Sequence, residues 1–200
     1  VNLRSPVLED SEDESEEEYE SSFNEALLNM WPQYISYSFS FLIVGLFWFW
    51  HHRLLSVVTR VPSGLYIINI IFLSLVATLP ASSELVGVYF TKDGVESSTA
   101  LLGASIVNCS ITLIVMWFYL TKISKKSIDP NNPLLRPKNR NLIYIGLSII
   151  ALSGLFCLAI SWIGEHGAHI GFFSLFLIPV YTLIFLAIIG TRARAVDDER

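Results

Sequence analysis

The chain has 200 residues, of which 52% are hydrophobic and only 16% charged, against about 25% charged in a soluble domain. Its formal net charge is -5 and its mean hydropathy is +0.53. That composition excludes a soluble enzyme, a nucleic-acid binder and a disulfide-stapled secreted domain as first readings. The negative charge is an average of two unlike parts. Ten of the 18 acids fall between Glu9 and Glu25, and the remainder of the chain is mildly basic.

Residues 1–30 are expected to form an acidic leader. Its run of like charges from Glu9 to Glu18 repels itself, which predicts a disordered, solvated segment. A second use of that segment is a vestibule that concentrates cations, within the limits set by salt screening. Five stretches without Asp, Glu, Lys or Arg follow. They lie between Glu25 and Arg53, Arg60 and Glu84, Glu96 and Lys122, Arg140 and Glu165, and Glu165 and Arg192, with 27, 23, 25, 24 and 26 residues. A helix needs about 20 apolar residues to cross a ~30 Å hydrocarbon core. The expected fold is therefore all-α, a polytopic transmembrane bundle over residues 31–191. Its spans are placed at 31–51, 64–88, 97–121, 141–163 and 169–191, and 192–200 form a tail.

Pro32 suits the first turn of the first span, and Trp31 its interface. Residues 121–140 form the one long polar connection, with a turn cluster at Asp129-Pro130-Asn131-Asn132-Pro133. Pro179 is expected to kink the last span. Cys109 and Cys157 both lie mid-span and read as small packed hydrophobes. Sorting Lys and Arg by span end puts eleven on one side and only Arg4 and Lys92 on the other. Basic residues are retained in the cytoplasm. The C-terminus is therefore expected there, with the acidic leader opposite.

Candidate functional groups are few. Trp48, Trp50, His51, His52 and Arg53 end the first span. They form either an aromatic belt with a basic anchor or, with a histidine turned inward, part of a buried polar network. Asn69 serves either as plain helix–helix glue or within such a network. Glu165, His166 and His169 are metal-type side chains at short spacing, which alone does not build a site. No metal or cofactor is expected. Ser36 and Ser40, and Ala100 and Ala104, lie four apart and suit close helix packing. No phosphate loop, nucleophile elbow or His-Glu-x-x-His motif occurs, so the chain is not expected to be an enzyme.

The set Ser40-Phe41, Trp48-x-x-His51-His52-Arg53-Leu54, Asn69 and Leu79-Pro80 resembles the prokaryotic members of the TMEM175 (DUF1211) family of potassium channels. The resemblance covers residues 31 to 90 and implies a six-span subunit, a homotetramer, and passive flow of K⁺ with possible proton leak. It implies a hydrophobic constriction rather than a carbonyl filter, and no TVGYG-type stretch is present. By matching, Trp48, His51, His52 and Asn69 would brace the pore helix. The family's Arg-x-x-x-Phe-Ser-Asp motif is absent, since Phe39-Ser40 is followed by Phe41. The pore-lining residues are therefore expected upstream of Val1. The alternative function is a small secondary transporter or a non-conducting structural subunit. The absence of charge within the spans favours the channel. The expected surroundings are the lipid bilayer, as a plasma membrane if the source is prokaryotic, with no nucleic-acid partner.

The orientation is testable. A cysteine placed at Ser127 should be protected from an impermeant thiol reagent in intact cells, and one at Ser15 labelled. The reverse pattern would invert the topology.

Overall fold

The computed structural model describes residues 23–24, 27–185 and 187. Most of the acidic leader, the end of the last span and the 192–200 tail lie outside the described residues. Among the described residues, five helices are long and apolar enough to cross a membrane. They are α1 (Trp31–Leu55), α2 (Ser63–Tyr89), α3 (Val95–Phe118, prolonged by a π turn over Tyr119–Ile123), α4 (Pro137–Ile160, then a 3-10 turn) and α5 (Glu165–Phe185). Among the described residues the only β pairing is an isolated bridge between Val58 and Ile128.

Several helices run up to four residues beyond the expected span limits. Hydropathy marks the hydrocarbon boundary, whereas backbone hydrogen bonding carries a helix on through the polar interface. The expectation that the 64–88 span carries no charge is corrected. Glu84 lies within α2, five residues from its end, and is half-buried. The spans are free of charge in their central turns, but not in that terminal stretch of α2.

The helix limits follow from local chemistry. Pro32 and Pro137 occupy first turns, where a missing N–H leaves no bond unmade. Gly94 (φ 103°) and Gly164 (φ 98°) adopt conformations that strain other residues. They permit the tight connections before α3 and α5. The kink expected at Pro179 is a turn at Leu175–Phe176, where the amides of Leu175, Phe176 and Ile178 reach back three residues rather than four. Proline lacks its own amide hydrogen and crowds the carbonyl four residues earlier, which is that of Leu175.

α3 is the centre of the bundle. It packs along α2 and α4 and also meets α1 and α5. Its closest crossing is with α4. A Cβ on Gly103 would lie 2.8 Å from the Gly154 carbonyl oxygen, and one on Gly154 would lie 2.9 Å from that of Gly103. The two backbones therefore touch. Short hydrogen bonds stitch neighbouring helices together. Ser83 Oγ donates to the Ser36 carbonyl (2.6 Å), Ser82 and Ser105 hydroxyls pair (3.1 Å), and Thr121 pairs with the Tyr144 hydroxyl (3.2 Å). Cys157 Sγ lies 3.7 Å from the Thr99 carbonyl oxygen. The pairs expected from small-residue spacing thus hold at Ser36, which is buried at the α1–α2 contact beside Gly87.

Overpacking at the Gly103–Gly154 crossing cannot be relieved by a rotamer change alone, because the nearest obstructing atom on each side is a backbone carbonyl oxygen. Gly103→Ala and Gly154→Ala should each lower stability by about 1–3 kcal/mol, read from unfolding in mixed micelles. Gly45 meets no atom within 4 Å. Gly45→Ala should leave the unfolding midpoint unchanged or raise it through helix propensity.

Candidate functional site

The last turn of α1 and the second turn of α2 lie side by side because residues 56–62 make a short reversal. This brings His51 and Asn69 together across the helix pair. His51 Nε2 donates to Asn69 Oδ1 at 2.7 Å. The imidazole also stacks on Phe72, with ring centroids 4.9 Å apart and planes at 16°. Phe72 is fully buried and meets Phe47 edge-on, one turn before His51. One face of the imidazole is thus fixed by an aromatic ring and one nitrogen by an amide. In hydrocarbon a polar side chain without a partner is costly, so a paired histidine and asparagine hold two helices at a set depth and register.

Trp48 and His52 are placed elsewhere. They share the neighbouring face of α1 and stack on each other, with centroids 5.4 Å apart and planes at 11°. Trp48 is 63% exposed, and His52 is exposed too. This face fits an interfacial belt. Of the four residues grouped as one bracing set, the structure joins His51 with Asn69 and, separately, Trp48 with His52.

Of the two α1 tryptophans at this end, Trp50 rather than Trp48 enters the core. It is completely buried and seated against Gly146 of α4, where a Cβ would lie 2.8 Å from the indole. Phe185 of α5 packs on the same indole, at 5.1 Å between ring centroids, and also borders Gly146. Phe72 was not singled out from the sequence, and Trp50 was grouped only with the span-end aromatic and basic residues. The available signal was spacing, since Phe39, Ile43, Phe47, Trp50 and Leu54 recur every three or four residues and are all buried.

At the opposite end of the bundle, His169 Nε2 donates to the Phe90 carbonyl oxygen at 2.8 Å, and its ring leans on the Phe90 ring at 4.5 Å. Glu165 and His166 are exposed. Among the described residues no three metal-type side chains converge. His169 closes the end of α2 onto α5.

Comparison with known proteins places this geometry in context. Residues 7–80 match the family model described as endosomal/lysosomal potassium channel TMEM175. The chain is 31% identical over 98 residues to a potassium channel of Streptomyces collinus, an alignment covering 48% of each protein. It is 33% identical over 102 residues to the endosomal/lysosomal proton channel TMEM175 of Gallus gallus, covering 51% of this chain and 19% of that protein. A potassium channel of Chamaesiphon minutus is 25% identical over 92 residues, 46% of this chain and 45% of that one. The chain thus spans about half the length of the bacterial relatives it matches. His51, Asn69, Trp48, Trp50 and Phe72 all lie in the segment matched by the family model.

The pairing makes a quantitative expectation. His51→Ala leaves Asn69 without its donor and should cost about 1–3 kcal/mol of bundle stability, and Asn69→Ala a similar amount. The double mutant should cost less than the sum, with a coupling of about 0.6–2 kcal/mol. His52→Ala should leave the unfolding midpoint within error of wild type.

Proposed function

We infer, from the match of residues 7–80 to the TMEM175 family model, that the chain is a subunit of a potassium-permeable channel. The single observation that carries this reading is that match, within which the Trp48-x-x-His51-His52-Arg53 signature and Asn69 all fall. K⁺ moves down its electrochemical gradient, and no cofactor takes part. The chain conducts ions rather than catalysing a reaction. The low charge of the central turns supports a passive pathway, because coupled transport needs titratable or ion-binding groups at mid-depth.

In this reading the five described helices are the scaffold of each subunit, and the pathway runs where subunits meet in a homotetramer. His51 and Asn69 fix the α1–α2 pair at one depth, and so fix whatever helix packs against that pair. The reading places the basic end of the bundle in the cytoplasm and the protein in a plasma membrane.

The test is ion flux from K⁺-loaded liposomes containing the intact protein. A K⁺ leak above that of empty liposomes, linear in the driving force and independent of any co-substrate, is the expected result. Flux that saturates or needs a second solute would indicate the transporter alternative. His51→Ala should lower the flux several-fold or shift the oligomer to smaller species, whereas His52→Ala should do neither.

A further inference from the structure

Two connections meet at the basic end of the bundle. The Thr59 and Arg60 amides both donate to the Ser127 carbonyl oxygen (2.9 and 3.3 Å), and the Asp129 amide donates to that of Val57 (2.9 Å). Val58 and Ile128 make the antiparallel bridge between them. Asn132 Nδ2 adds a bond to the Ser56 carbonyl oxygen at 3.3 Å. On the second connection, the Ser127 amide and Ser124 Oγ close a 3-10 turn over Lys125–Ser127. The α1–α2 reversal is therefore held against the α3–α4 connection by main-chain bonds. Arg60 is brought beside Lys125 and Lys126, which lie far from it in sequence.

The chemistry of this junction is one-sided. Arg60, Lys125 and Lys126 are all exposed, as is Lys122 at the end of the π turn. Asp129 is the only acid in either connection, and its Oδ1 accepts from the Asn131 amide (3.0 Å). No ion pair joins these cations to an acid among the described residues. Arg53, on the last turn of α1, has its Nε sealed from solvent with no acceptor among them. Val61 and Ile123 flank the junction and are 55% and 66% exposed. Unpaired cations with exposed aliphatic side chains alongside suit a charged headgroup whose acyl chains continue into the bilayer.

We propose that the paired connections form a discrete site for the headgroup phosphate of an anionic phospholipid of the protein's own membrane. Arg60, Lys125 and Lys126 make the charged contacts, and Val61 and Ile123 lie at the acyl boundary. The proposal is independent of ion conduction.

The test is a titration of the intact protein in uncharged detergent with phosphatidylglycerol, and separately with phosphatidylcholine, read by native mass spectrometry. Wild type should take up phosphatidylglycerol in preference. Lys125→Gln/Lys126→Gln should weaken that uptake by about fivefold per cation removed, while Lys125→Arg/Lys126→Arg should retain it. The control pair Arg136→Gln/Lys138→Gln removes the same charge from the same end of the bundle, away from the junction, and should change uptake less than twofold. Retained helical circular dichroism separates loss of binding from loss of fold. Equal losses in the two Gln pairs would mean a diffuse positive field and overturn the site. So would equal uptake of the two lipids by wild type, and displacement of the lipid by inorganic phosphate alone would make it a free-anion site instead.

Discussion

Inside a bilayer, apolar burial does little to hold helices together, because lipid tails are as apolar as leucine. What remains is close packing and hydrogen bonding between helices. The bundle satisfies that constraint chiefly through α3. Its backbone meets that of α4 at Gly103 and Gly154, its Ser105 hydroxyl meets Ser82 of α2, and its Thr121 reaches Tyr144. A helix that touches all four others needs small residues where backbones approach most closely, and Gly103, Ser98, Thr99 and Ser105 supply them beside larger buried side chains such as Leu102, Ile106 and Trp117. The other helices are arranged around the approach distances this helix permits.

Against that background the His51–Asn69 bond differs from most of the side-chain hydrogen bonds in the bundle. Most of the serine and threonine hydroxyls here bond to a carbonyl three or four residues back on their own helix. Those bonds satisfy a hydroxyl locally and set no register between helices. His51 and Asn69 bond each other instead of a local carbonyl, so their pairing specifies how far α1 is slid along α2. The Phe72 stack adds an orientation to that depth. Trp50 then fixes the same turn of α1 against α4 and α5 from the opposite side.

The sequence discloses the spans but not their faces. Charge-free gaps of 23 to 27 residues locate five helices, because charge is excluded from hydrocarbon whichever side it would face. The amphipathic contrast that reveals a buried face in a soluble helix is missing when both protein and lipid favour apolar side chains. Trp48 and Trp50 are therefore indistinguishable by type, yet one is 63% exposed and the other 0%. His51 and Asn69 were legible because polarity at depth is rare, and the resemblance that paired them rests on those same residues. The association of residues 57–60 with 127–129 was not legible at all. It depends on main-chain bonds between polar connections, which carry no side-chain signature.

The segment shared with the family model ends at Pro80, inside α2, yet its main contacts do not end there. Trp50 lies within the segment and its seat, Gly146 with Phe185, lies outside it. Phe39 lies within, and Phe172 and Phe176, which cover it at 5.5 and 4.6 Å, lie outside. The Val57 and Thr59 main chain lies within, and Ser127 and Asp129 lie outside. The matched segment is thus a helix pair whose one internal polar lock, His51–Asn69, is self-contained, while its position depends on surfaces provided by α4, α5 and the α3–α4 connection. Those outer surfaces can change in sequence as long as they continue to offer a gap for an indole, an aromatic lid and a free carbonyl. The family-model match itself stops inside α2, at Pro80.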